Sequence, residues 1–94
     1  MRCDSITFSG HAITRMFERG LSKNEVVNVI HNGETASNYP EDQPFPSRLL
    51  LDWAHKKPVH VVVASDEKDY DCYVVTAYIP STHLWNSDFK TRKQ

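Results

Sequence analysis

The stretch Pro58–Ile79, PVHVVVASDEKDYDCYVVTAYI, decides the fold. Two runs rich in valine flank a short polar segment, DEKDY. β-Branched and aromatic residues suit a pleated, half-buried surface, and a short polar break between two such runs marks a hairpin. Alternation then sorts the side chains. Val59, Val61 and Val63 share one face of the first strand, and His60, Val62 and Ala64 share the other. On the second strand Tyr73, Val75, Ala77 and Ile79 form one set, and Cys72, Val74, Thr76 and Tyr78 the other. A turn near Lys68 sets His60 across from Thr76, with Tyr78 one diagonal step away. A slip of one residue would break this pairing.

Upstream lies a third β-like run, SRLLLDWAH, separated from the hairpin by KKP. Before it, ETASNYPEDQPFPS carries Pro40, Pro44 and Pro46, so it supplies at most a short strand ending near Tyr39 and then a loop. LSKNEVVNVIHNG reads as a helix. Ser22 and Glu25 have capping-box spacing, Val26, Val29 and Ile30 lie on one face, and Gly33 stands at the closing C′ position. GHAITRMFERG reads as another helix, with Ser9 as N-cap and Gly20 in the left-handed position that ends it. SITF, at residues 5–8, is a short β-like run. The order is two helices followed by an antiparallel meander, an α+β arrangement with the helices on one sheet face. Trp85 and Phe89 are expected to dock, and the tail after about residue 88 to fray.

At 94 residues, one domain covering 1–94 is expected, with a single modest core. The balanced charge, formally −1, argues against disorder and gives no global basic field. Any anion site must therefore be local. Cys3 and Cys72 form no C-x-x-C pair, no signal-like run follows the N-terminus, and no stretch approaches the ~20 apolar residues of a membrane helix. The plain reading is a cytoplasmic protein with reduced thiols, with a single disulfide as the alternative the sequence leaves open. None of the five histidines has zinc-site spacing, and no phosphate loop or nucleophile elbow is present, so neither metal nor cofactor is expected.

Local cations are concentrated on the first helix. At roughly 100° per residue, His11, Arg15 and Arg19 form one row beside the apolar arc of Ala12, Ile13, Met16 and Phe17. With His60, Thr76 and Tyr78 on a sheet face, this is the parts list of a metal-independent ribonuclease. Such cleavage needs a base for the 2′-hydroxyl, an acid for the leaving 5′-oxygen, and cations for the charge developing on phosphorus. Histidine suits proton transfer near neutral pH, and the arginine fork suits phosphate. Taken singly, the same residues have plainer roles. Arginines on a small helix are usually solvated or paired with carboxylates, here Glu18 or Glu25. A histidine in a valine-rich strand is more often structural than catalytic, and Thr and Tyr are common strand formers. His31, His55 and His83 read as surface or helix-end residues.

FSGHAITRMFERGLSKNEV, NGE, PVHVVVA and YVVTAYIP, followed by Trp85, together resemble a small prokaryotic family, domain of unknown function 4258. That family is in turn similar to RelE/ParE-like toxins of the barnase–colicin–RelE fold. The resemblance implies two N-terminal helices on a curved antiparallel sheet of about four strands. It also implies the toxin half of a toxin–antitoxin pair, cleaving RNA without metal. The implied partners are RNA, in a ribosomal setting, and a cognate antitoxin. The positions carried over are His11, Arg15, Arg19, His60, Thr76 and Tyr78. Toxins of this type are commonly basic, and the slightly acidic balance here departs from that. The alternative is a non-catalytic binding module of the same fold, engaging a protein or nucleic acid through the His11/Arg15/Arg19 stripe.

Overall fold

The computed structural model describes all residues, Met1–Gln94. Its elements run β1 (Ser5–Phe8), α1 (Gly10–Arg19), α2 (Lys23–Asn32), β2 (Glu34–Tyr39), β3 (Ser47–Ala54), β4 (Lys57–Asp66) and β5 (Asp71–Tyr78). The helix ends form as their caps dictate. The Ser9 side chain accepts from the Ala12 N–H, and Gly20 sits at φ 68°, where its N–H reaches back to α1 carbonyls. Ser22 and Glu25 make the reciprocal capping box of α2, which holds the Glu25 carboxyl below its usual pKa through hydrogen bonds from Ser22. Gly33 is extended rather than left-handed, with φ −72°. Its requirement is space. A Cβ there would lie 2.5 Å from the Val29 carbonyl oxygen and 2.9 Å from that of Leu51.

The expected sheet of about four antiparallel strands, with helices at the N-terminus, is corrected here. The sheet has five strands in the order β1-β5-β4-β3-β2, and it is mixed. A strand precedes the helices: β1 lies parallel to β5, pairing Ser5 with Asp71 through Phe8 with Val74. The two helices carry the chain from β1 at one edge of the sheet to β2 at the other, and the antiparallel meander β2-β3-β4-β5 brings it back beside β1. The parallel pair is thus joined by the long connection such pairing demands. Four residues with little alternation gave no pairing partner in the sequence, so SITF could not be placed.

The same pairing overturns the expectation of reduced thiols. It carries Cys3 to Cys72, and the two form a disulfide with Cα atoms 5.6 Å apart. The helices cover one face of the sheet. Ala12, Met16, Leu21, Val26, Val29 and Ile30 meet Leu50, Val59, Val61, Val63, Cys72, Val74 and Ala77 in a single buried cluster. Each fully buried valine or leucine contributes about 1.5–3 kcal/mol.

The hairpin register also differs from the expected one. His60 pairs with Tyr78, and Val62 with Thr76. A bulge between Val62 and Val63 leaves Val75 as an extra residue on β5, because Val63 pairs with Val74. The bulge changes which residues share a face. Cys72, Val74 and Ala77 point into the helix-side core, while Thr76 and Tyr78 join His60 on the far side. The Val75 carbonyl accepts from the Ser9 hydroxyl at 3.2 Å, which ties the start of α1 to the bulge.

Candidate functional site

The sequence-derived residues divide into two groups on opposite sides of the sheet. His11, Arg15 and Arg19 all project from α1 into solvent. Arg15 reaches Glu18 at 3.5 Å with both side chains nearly half exposed. Such a pair is worth at most about 1 kcal/mol, so Arg15 is readily available to another anion. His11 and Arg19 make no ion pair. The same helix exposes Ile13 at 39% and Phe17 at 87%, on a flank away from the cation row.

His60 lies on the other face, completely buried. Its Nε2 is 2.6 Å from the Phe89 carbonyl oxygen and its Nδ1 is 3.3 Å from the Tyr78 hydroxyl. A carbonyl only accepts, so Nε2 carries the proton and Nδ1 accepts from Tyr78. Trp85 packs edge-on against the imidazole, with ring centroids 4.6 Å apart. Burial pushes the His60 pKa down, and the Phe89 carbonyl opposes that only in part. Burial also pushes the Tyr78 hydroxyl up, with Tyr39 adding to the rise and Arg92 opposing it, so Tyr78 remains a donor at neutral pH. Thr76 is half-buried on this same face, opposite Val62.

The cover over His60 is the tail. Beyond β5 the chain folds back so that Trp85 bridges to Arg92, and the Lys93 N–H bonds the Leu84 carbonyl. The turn between is built on Asp88. Its carboxylate accepts from the Lys90 and Thr91 N–H groups, which hold its pKa low. Phe89 takes φ 54°, directing its carbonyl at His60 while its ring meets Trp53 edge-on at 5.7 Å. Lys90 reaches Glu34 at 3.5 Å, and the Arg92 guanidinium lies over Trp85. Trp85 and Phe89 thus dock as expected.

The two groups therefore do not form opposite walls of one cleft. His60 and Tyr78 sit on the face away from the helices, under the tail, while the cations stand on the outside of α1. Alternation without the bulge put Thr76 and Tyr78 in the set of Cys72 and Val74, which in fact faces the helices. Sequence reasoning also missed Tyr39, the Phe89 carbonyl and Arg92. The aromatic character of Tyr39 was visible, but the other two depend on a backbone turn with no strong glycine or proline signal. No three His, Cys, Asp or Glu side chains converge as a metal-binding set. No helix is long and apolar enough to cross a membrane.

Residues 8–79, from the end of β1 through β5, match the model of the family described as domain of unknown function DUF4258, and the chain belongs to that family. The matched span stops short of the tail that covers His60. No curated protein and no solved structure matches the chain.

Proposed function

We propose that this protein binds RNA through α1, with His11, Arg15 and Arg19 holding successive phosphates as a non-catalytic module. The observation that carries this reading is the exposed row itself. Three potential cations at helical spacing stand in solvent, two of them without a carboxylate partner, on a chain whose net charge is −1. A local strip of this kind suits a single-stranded backbone better than a long duplex, which would meet the acidic remainder of the surface.

The test is fluorescence anisotropy with a single-stranded RNA oligonucleotide over a series of salt concentrations. Each phosphate contact contributes a slope of about −0.7 in log K against log salt, so two or three contacts give roughly −1.4 to −2.1. Arg15→Ala and Arg19→Ala are each expected to remove about 0.7 of that slope. A flat salt response would overturn the reading.

A second reading is metal-independent endoribonuclease activity, as in the toxin half of a toxin–antitoxin pair with an antitoxin as partner. It is favoured by the placement of His11, an accessible proton-transfer group, in the same row as the two arginines. His60 takes no part in it while the tail is in place. Cleavage in EDTA that falls about 10²–10⁴-fold in His11→Ala, with growth arrest on expression lost in Arg15→Ala, would establish it over binding alone.

A further inference from the structure

One cleft lies away from both groups described above. It encloses about 530 Å³ at the sheet end where β3 begins and the β4–β5 turn closes. Its walls carry Arg2, Asn38, Arg48, Ser65, Glu67 and Tyr70. Glu67 is the one carboxylate among the lining residues, against two guanidinium groups. Arg48 is half-buried and has no carboxylate within ion-pair distance. Arg2 is held in place from two sides, by Asp4 at 3.2 Å and by the Tyr70 ring 3.9 Å beneath it. Ser65 is 9% exposed, and the nearest partner of its hydroxyl is a disulfide sulfur at 3.9 Å, a poor acceptor. A buried hydroxyl left with so weak a partner beside an unpaired arginine is a donor set in want of an acceptor.

We propose that this cleft binds a phosphate group, free or as a monoester. The arginine fork of Arg48 and the Ser65 hydroxyl supply donors from the sheet, the Asn38 amide adds another, and Arg2 closes the site from the N-terminal segment. The disulfide belongs to the site as well. Cys3 is the neighbour of Arg2, and its bond to Cys72 keeps the Arg2 segment against β5. Reduction removes the covalent part of that hold and leaves the Asp4 N–H bond to the Tyr70 carbonyl and the β1–β5 pairing, so binding weakens on reduction without being abolished. The site is independent of the RNA reading of α1.

The experiment is isothermal titration of the full chain with inorganic phosphate and with adenosine 5′-monophosphate, alongside amide NMR shifts at Ser65 and Arg48. One-to-one binding is expected, weakened at least about tenfold by Arg48→Gln and less by Ser65→Ala. Both variants are checked for the wild-type amide spectrum outside the cleft. Reduction, or Cys3→Ser, is expected to weaken binding severalfold. Equal binding of the two probes assigns the free ion, and tighter binding of the nucleotide assigns an ester. Absence of binding by either probe, or binding that Arg48→Gln in a folded protein leaves unchanged, overturns the proposal. An Arg15→Ala, Arg19→Ala double variant that loses RNA but keeps phosphate separates this site from α1.

Discussion

His60 holds the tail through one polar contact and one aromatic one, and its protonation state decides how well. The neutral ring donates from Nε2 to Phe89 and accepts at Nδ1 from Tyr78. Burial lowers its pKa below the ordinary 6.5. The unfolded chain therefore takes up a proton at this position before the folded one does. The stability this gives is complete above about pH 6.5 and is lost as the pH falls through that value toward the folded pKa. Thermal unfolding followed from about pH 8 down to pH 5 is expected to show a fall in Tm that is shallower in His60→Gln. Equal slopes in the two proteins would mean that other groups govern the acid limb. At the same scale, Phe89 shows why the tail was hard to read. A bulky residue at φ 54° is uncommon, and two contacts made elsewhere in the fold, with His60 and Trp53, hold it there together with its own turn bond to the Asn86 carbonyl.

At the scale of elements, the helices were legible and the sheet was legible only in part. Caps at Ser9, Gly20 and Ser22 are local chemistry, written within three or four residues of where they act. The three long strands were also plain, since runs such as LLLDW and VHVVV have few other uses. Two things were hidden. The bulge at Val75 arises from pairing between strands and from the Ser9 hydroxyl, and nothing within YVVTAY marks one valine as the extra residue. The partner of SITF lies 66 residues away along the chain. A bulge of one residue set Tyr78 rather than Thr76 opposite His60 and parted both from Cys72 and Val74, while the face they share with His60 is the one expected from the sequence.

The β3–β4 turn offers a test at this scale. His55 and Lys56 take φ 51° and 68°, the left-handed pair of a tight hairpin in which Asn-Gly is preferred. Replacing them by His55→Asn and Lys56→Gly relieves two strained side chains far from any proposed site. A gain of about 1 kcal/mol is expected, read as a higher urea midpoint at unchanged m-value. A loss would show that the weak contact of His55 with Glu25, 4.0 Å away, matters more than the turn conformation.

For the whole molecule, the Cys3–Cys72 bond ties positions 69 apart and so constrains most of the chain in the unfolded state. Cys3→Ser is expected to cost about 2–4 kcal/mol. For a domain of this size that lowers Tm by at least about 8 °C, and reducing agent should bring the wild-type protein to the same value. A wild-type melt indifferent to reductant would contradict this.

The parallel strand β1 also bears on how separate copies of the protein behave toward each other. An open sheet presents unpaired N–H and C=O groups at its two rims, and those rims invite strands from other molecules. Here one rim is only four residues long, and the chain turns directly from it into α1, whose first cap already occupies the Val75 carbonyl. The other rim, β2, is interrupted by a register shift between Thr35 and Ser37 and ends at Pro40. Neither offers a long flat template, so strand addition between copies is disfavoured, and contacts with other molecules fall to side chains on the helices, the cleft and the tail.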